Sequence, residues 1–373
     1  MMRYDKLKKM QAIIITSLLI ACAVFCCACG RKKDFEKLDS RLNECFDKYV
    51  TQNSIESSCF RLFNQETGYN WSGSTEGVDD NSHFGMASIT KMFTAVVIFN
   101  LESEGRISFD APISKYLPKS YYEGTAVYKG TDYADRITIR QLLSHTSGLA
   151  DYFSESSSGY PSIVETAYEQ NRDIRYPYSN ILARMRELPA LNIPGESRKA
   201  NYSDFNYQLL GKIIETVTRK SLNDNYKKYI YTPSGMKSTY LYEPDMKWGD
   251  IEEIRGKYAN GEFPLMEASE QAAGGIISTA DDLMKFAKAY FCYTLFDESL
   301  FSDITSFKDL SFHKQYGLGL MHFSNIYDSY GHTGSLGCVV LYSPKLKTYV
   351  VGTVNNCSSK DALSLAKKLL SEM

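Results

Sequence analysis

An α/β fold is predicted, more closely an α+β arrangement. An antiparallel sheet flanked by N- and C-terminal helices is interrupted by a large, mostly helical insertion. Three observations predict it. Strand-like segments rich in β-branched and aromatic residues occur near the start of the chain and again near its end. Amphipathic helical patterns lie outside these segments at both ends. Between them, residues 137–290 read as helices joined by long polar loops.

The elements follow in order. Arg3, Lys6, Lys8 and Lys9 form a basic start, Gln11 to Cys29 is almost wholly apolar, and Arg31, Lys32 and Lys33 follow. That layout marks residues 1–35 as an export signal or a membrane or lipid anchor. The apolar run of about 19 residues sits at the edge of the roughly 20 that a spanning helix needs. Leu19-Ile20-Ala21-Cys22 and Ala28-Cys29-Gly30 both resemble the end of a bacterial lipoprotein signal. Cys29 is the favoured lipid anchor because the polar chain begins right after it. Cys22 and an uncleaved transmembrane helix are the alternatives. Each reading places the body outside the cytoplasm, tethered to the membrane.

Asp34 to Tyr49 reads as a helix with Phe35, Leu38, Leu42, Phe46 and Val50 on one stripe. Ile55 to Phe63 and Gly68 to Ser72 read as strands. A helix is expected from Ser88 to about Ser103, with Met92, Ala95, Val96 and Phe99 at helical spacing and Gly105 as its stop. Thr138 to Ser144, Phe205 to Thr218 and Asp281 to Tyr290 are further helices, the last capped by Ser278-Thr279. Tyr316 to Phe323, Cys338 to Ser343 and Thr348 to Val354 read as strands, and Ser358 to Leu370 as a closing amphipathic helix. Residues 36–373 then form one unit. Its α/β part covers about 36–115 and 273–373 and its helical part about 116–272, with a substrate cleft expected between them.

Composition excludes several classes. There are 42 Lys and Arg against 44 Asp and Glu, and no basic run beyond the first residues, so no nucleic-acid partner is expected. Cys45, Cys59, Cys292, Cys338 and Cys357 are scattered and lack C-x-x-C spacing, which implies free thiols rather than a disulfide framework or zinc site. The five histidines form no H-E-x-x-H cluster, and no metal or cofactor is expected. The Tyr-rich stretches Tyr121 to Tyr133 and Tyr152 to Tyr178 are expected to line the cleft. Nothing in the sequence bears on oligomeric state.

Ser88-Ile89-Thr90-Lys91 is an S-x-x-K tetrad. Residues three apart on a helix share a face, so Lys91 can reach the Ser88 hydroxyl. A serine hydroxyl is a weak nucleophile until a base takes its proton. A buried lysine has a lowered pKa and can be that base. Backbone N–H groups at a helix start can stabilise an oxyanion. The same spacing recurs at Ser234, Ser311 and Ser364, in a turn, a polar loop and the closing helix. Of the four, Ser88 alone starts a helix directly after a short apolar segment.

Six segments in order resemble the β-lactamase-related serine hydrolases, the family of class C β-lactamases, D-alanyl-D-alanine carboxypeptidases, penicillin-binding-protein-like proteins and related esterases. They are Phe84 to Ala95 with the tetrad, Ile137 to Leu149, Tyr202-Ser203-Asp204 with Tyr207 to Glu215, Ala273 to Leu283, Tyr316-Gly317-Leu318-Gly319, and Gly331-His332-Thr333-Gly334. They span roughly residues 50 to 360. The resemblance implies a β-lactamase/transpeptidase-like fold and a catalytic unit over residues 36–373. It makes Ser88 the acylated nucleophile, Lys91 its partner and Tyr202 the general acid/base. His332, Thr333 and Gly334 form the third motif. The oxyanion hole would use the N–H groups of Ser88 and Ser335. Lys91 would draw the Tyr202 phenol down from its usual value near 10.

Tyr178-Ser179-Asn180 matches the family's Tyr-Ser-Asn string better than Tyr202-Ser203-Asp204, but it lacks the downstream Leu-Leu-Gly helix, and Tyr202 is preferred. His145 beside Ser144 and Ser147 suggests a Ser-His dyad. No G-x-S-x-G elbow exists, so His145 is assigned to a structural loop near the cleft.

Two departures bear on substrate. His332 stands where class C enzymes have lysine, and Asp204 where they have asparagine. An unperturbed histidine is mostly neutral at pH 7, so capture of a substrate carboxylate should be weak. If His332 did bind one, KM for acidic substrates should improve from about pH 7.5 towards 6. Asp204 has three readings: a pair with Lys91 that holds the lysine as a cation, a plain hydrogen-bond acceptor, or a receiver of a substrate amine. The resemblance and these departures together imply an exported hydrolase that cleaves a peptide amide or an ester, either small or in the cell wall, through acyl-Ser88. They also imply a poor β-lactamase. A small-ester esterase and a penicillin-binding sensor that deacylates too slowly to turn over are the alternatives.

Overall fold

The structure is a computed structural model that describes residues 34–154, 162, 176–242, 257–258, 261–262, 267–311, 314–354 and 358–373. The predicted export segment up to residue 33, with Cys22 and Cys29, lies outside the described residues. So do most of the Tyr152–Tyr178 stretch, His313 and Cys357. Among the described residues, no helix is long and apolar enough to cross a membrane.

The core is an eight-stranded antiparallel sheet built from both ends of the chain. Its strands are β1 (Ser58–Asn64), β2 (Asn70–Ser74), β3 (Lys308–Ser311), β4 (Lys314–Tyr316), β5 (Met321–Phe323), β6 (Ser329–Gly334), β7 (Cys338–Ser343) and β8 (Thr348–Val354). Their order is β3-β4-β5-β6-β7-β8-β1-β2. The pairing of β1 with β8 joins the two ends, with Leu62 opposite Val350.

Period-2 alternation sends side chains to two layers. Val339, Leu341 and Val350 join Leu42 and Phe46 of helix α1 (residues 34–52) and Leu365 and Leu369 of the closing helix α8 (Ser359–Ser371). Cys338, Val340 and Val351 face the other way, into the larger core that holds helix α2 (Thr90–Ser103) and helix α7 (Ala280–Phe291). Each buried aliphatic side chain contributes roughly 1.5–3 kcal/mol, so the strands' apolar faces account for much of the sheet's stability.

The helical part between β2 and α7 contributes α3 (Ile139–Leu143), α4 (Tyr178–Met185), α5 (Asp204–Thr218) and α6 (Glu267–Gly274). Helix α3 begins with a capping box between Thr138 and Gln141. A three-stranded ribbon ties this part to the start of α2. In it Phe84–Gly85 pairs with Ile276–Ser278, which pairs with Tyr240–Leu241.

Helix α2 is buried on every side from Thr90 to Phe99 and packs against helices α5 and α6. One expectation needs correction. Tyr316 to Phe323 is not one strand. It is the hairpin β4–β5, turned by Gly317–Leu320. Gly319 has a φ of +72°, and a Cβ there would lie 2.4 Å from Ala95 Cβ of α2. The Gly-x-Gly spacing therefore marks a turn pressed against the helix that carries Lys91.

Candidate active site

The chain approaches Ser88 through a strained turn. Met86 N–H donates to Ile276 O at 2.9 Å. Ala87 follows with a φ of +44°, and Ala87–Ile89 form a single 3-10 turn before α2 begins at Thr90. The helix thus starts two residues later than expected, with Ser88 in its lead-in. A non-glycine residue in this region costs about 1–3 kcal/mol and persists where the surroundings impose it. Gly334 is part of those surroundings. A Cβ there would lie 2.3 Å from Met86 O and 3.2 Å from Ala87 Cβ. Cys338, paired with Gly334, donates its thiol to Met86 O at 3.1 Å. The end of β6, including buried Thr333, is thereby pressed against the nucleophile's turn, with exposed Ser335 next along the chain.

Lys91 has no exposed surface. Its Nζ donates to Ser88 Oγ at 3.0 Å and to Ala273 O at 2.7 Å, and pairs with Asp204 Oδ1 at 2.5 Å. Burial alone would lower its pKa, as expected from the sequence. The Asp204 carboxylate outweighs burial and raises it. Lys91 is therefore held as a cation, and of the three readings of Asp204 the geometry is that of the pair. The Ala273 carbonyl reaches Lys91 because α6 is kinked at Gln271 (φ 39°, ψ −112°). Beyond that kink Ala272 O also accepts from Thr94 at 2.7 Å.

The Tyr202 ring centroid is 5.0 Å from Lys91 Nζ. Its hydroxyl is buried beside Lys91 and Ser88 without a hydrogen bond of good geometry. Burial raises its pKa above the usual 10, and the pull of Lys91 does not offset this because Asp204 pushes the other way. The expectation of a phenolate is therefore corrected, and Tyr202 rests as a phenol.

Tyr202 and Asp204 are placed by the loop 144–151. Ser203 N–H donates to His145 Nδ1 at 3.1 Å, and Asp204 N–H to Asp151 Oδ1 at 3.0 Å. Ser203 Oγ donates to Ala150 O at 2.7 Å. These groups do the work of a cap for α5, whose own N-cap Ser203 makes no side-chain cap bond. The His145 ring lies on Tyr202 with centroids 4.2 Å apart and 30° between planes. His145 is fully buried, and burial together with Lys91 holds its pKa well below the usual value. It is a neutral acceptor that orients the tyrosine, as the loop assignment expects, and not the base of a dyad.

The competing motifs lie elsewhere. Tyr178 begins α4 and donates its hydroxyl to Tyr121 O at 2.8 Å. Ser364 Oγ is bonded to Lys360 O within its own helix. Ser311 and Lys314 face each other across the β3–β4 hairpin.

His332 departs most from its expected role. It is fully buried on β6, with Nδ1–H donating to Thr333 O at 2.8 Å and Nε2 accepting from Tyr316 Oη at 3.1 Å. Burial, then the Lys91 charge, push its pKa down to about 3. It cannot greet a substrate carboxylate as a cation. Any change in KM for acidic substrates between about pH 7.5 and 6 is therefore expected to be the same in His332→Gln as in wild type, and loss of such a change in the variant would contradict this.

Sequence reasoning missed two acids. Asp151 and Glu270 are both buried near Lys91 and Asp204. Glu270 Oε1 accepts from Tyr152 Oη at 3.0 Å, and burial raises its pKa well above the carboxylate range. Asp151 carried a usable signal, being a lone acid in the otherwise apolar run from Leu149 to Phe153. Glu270 carried none, since its neighbourhood reads as an ordinary polar helix.

Comparison with known proteins bears on the family and the fold. The family model described as Beta-lactamase matches residues 49–371. Penicillin-binding protein 4* of Bacillus subtilis is 32% identical over 181 residues, which are 48% of this chain and 35% of that protein. The teichoic acid D-alanine hydrolase of Staphylococcus aureus is 25% identical over 272 residues, which are 68% of this chain and 59% of that protein. The chain thus spans between a third and three-fifths of the length of these relatives. The crystal structure of a D-stereospecific amidohydrolase from Streptomyces superposes with a TM-score of 0.71 at 23% identity, over 88% of this chain and 96% of that one. That likeness shows a shared fold.

Proposed function

The chain belongs to the beta-lactamase family, and from that premise we propose that it is an exported serine hydrolase that acts through an acyl-Ser88 intermediate on an amide or ester at the cell envelope. The observation that carries the reading is the buried contact of Lys91 Nζ with Ser88 Oγ at 3.0 Å, with the Tyr202 phenol beside both.

Ser88 Oγ attacks the substrate carbonyl, its proton passes to Lys91, and the Tyr202 phenol protonates the leaving amine or alkoxide and takes a proton back from Lys91. Water then adds to the acyl-Ser88 carbonyl, returns a proton to Ser88 Oγ through the same groups and releases the acid. The N–H groups of Ser88 and Ser335 receive the oxyanion. Lys91 is a cation at rest, so it must first give up a proton, and the Asp204 carboxylate is its nearest acceptor at 2.5 Å. The substrate side follows from charge. Neutral His332 replaces a standing cation, and the Lys91 ammonium is already paired with the Asp204 carboxylate. Acyl donors without a free carboxylate, such as D-aminoacyl amides and esters, suit this site better than β-lactams. The names of the relatives, a D-alanine hydrolase and a D-stereospecific amidohydrolase, support that class. The N-terminal segment, anchored by lipid at Cys29 or Cys22 or by its uncleaved apolar run, keeps the enzyme at the membrane surface.

Labelling with a fluorophosphonate and, separately, a fluorescent penicillin tests the reading, with Ser88→Ala as control. Strong fluorophosphonate labelling that vanishes in Ser88→Ala, with weak penicillin labelling, is the expected result. Efficient penicillin turnover would overturn the substrate assignment.

A further inference from the structure

Asp151 ends the loop 144–151 with 5% of its surface exposed. Oδ1 accepts Asp204 N–H at 3.0 Å, and Oδ2 accepts the Ser154 hydroxyl at 2.5 Å. Among the described residues, the charged and titratable groups that face it include Asp204 on α5, Lys91 on α2, Glu270 on α6 and the neighbouring Tyr152. Nothing in the mechanism above uses it, yet it is bonded to the backbone of the residue that pairs with Lys91.

We infer that Asp151 is a positioning residue for the Lys91–Asp204 pair, holding Asp204 by its backbone and, when ionised, shifting the shared proton from Lys91 towards Asp204. The inference rests on the Ser88–Lys91 reading above. Attack by Ser88 needs a neutral lysine amine. Transfer of one proton from Lys91 Nζ to Asp204 Oδ1 supplies it, and turns a buried ion pair into two neutral groups. The amine then takes the Ser88 proton as the bond from Oγ to the carbonyl carbon forms. A carboxylate at Asp151 favours the first transfer, because it repels the Asp204 charge more than it attracts the Lys91 charge. Asp204 is bonded to Asp151 through its backbone N–H, and its electrostatic effect on Asp151 exceeds that of Lys91. Burial, then Asp204, push the Asp151 carboxyl up to about 7, so its charge changes across the neutral range.

The test is the rate of fluorophosphonate labelling of the full chain between about pH 5.5 and 8.5, for wild type and Asp151→Asn. Asparagine keeps an acceptor for Asp204 N–H and removes the charge. The wild-type rate is expected to rise about tenfold through an inflection near pH 7, whereas Asp151→Asn keeps the low-pH rate throughout. Asp151→Glu is expected to recover part of the rise, which a purely structural role would not require. A flat wild-type profile overturns the inference whether or not the variants fold. So does Ser88-dependent labelling with the same rise in a folded Asp151→Asn, and in that case the Ser88 reading stands. Labelling that never depends on Ser88 overturns both.

Discussion

Replacing Lys91 by methionine is expected to cut the rate of Ser88 acylation by about three orders of magnitude or more and to destabilise the fold by about 3–5 kcal/mol. The two effects have separate causes. The first is loss of the amine that takes the Ser88 proton across 3.0 Å. The second is the Asp204 carboxylate, left buried without its cation at 2.5 Å. The double variant Lys91→Met/Asp204→Leu separates them. It removes both charges, so it should regain most of the lost stability and none of the activity. Denaturant melts and labelling rates read the two effects independently. Labelling of Lys91→Met within about tenfold of wild type would remove the lysine from the mechanism.

Tyr202→Phe is expected to lower kcat by about 10²–10⁴-fold while leaving stability unchanged or slightly improved. Loss of function without loss of stability is unusual for a buried site. It follows here because the Tyr202 hydroxyl is buried without a hydrogen bond of good geometry, so its removal relieves a desolvation cost. The ring's stacking on His145 is retained by phenylalanine. Tyr178→Phe is the control and should keep near wild-type activity, since its hydroxyl serves only the Tyr121 carbonyl. The opposite pattern would return the general acid to the Tyr178-Ser179-Asn180 string.

The sheet strands were legible where short apolar runs are rich in β-branched and aromatic residues, as at Cys338 to Ser343 and Thr348 to Val354, both of which form as expected. Helix α5 was legible from its apolar spacing and its position after Tyr202. Helix α2 shows why periodicity can mislead. Its apolar residues recur at helical spacing, but the polar residues between them, Thr90, Lys91 and Thr94, are buried as well. Each of these polar side chains has a partner from α6 or the ribbon after it: Ile276 N–H at Thr90, Ala273 O at Lys91 and Ala272 O at Thr94. No local pattern encodes that.

The grouping of Ser88, Lys91, Tyr202 and Asp204 was legible, while their charges and the buried acids Asp151 and Glu270 were not. S-x-x-K spacing says that Lys91 reaches Ser88. It does not say what stands on the far side of the ammonium. That group is Asp204, more than a hundred residues on, and it reverses the expected direction of the lysine pKa. His332 likewise has the right place and the opposite behaviour. Its two ring nitrogens are occupied by Thr333 and Tyr316 inside the core, which sequence order cannot reveal.

The central claim is that Ser88 carries the acyl group. Its most direct test is rapid quenching of the enzyme during turnover of a D-alanyl ester, followed by tryptic mass spectrometry of the peptide bounded by Arg61 and Lys91. The account predicts a D-alanyl adduct on Ser88 that disappears as substrate is consumed and is absent from Ser88→Ala. Turnover that persists in Ser88→Ala, or an acyl group on another residue, would contradict it.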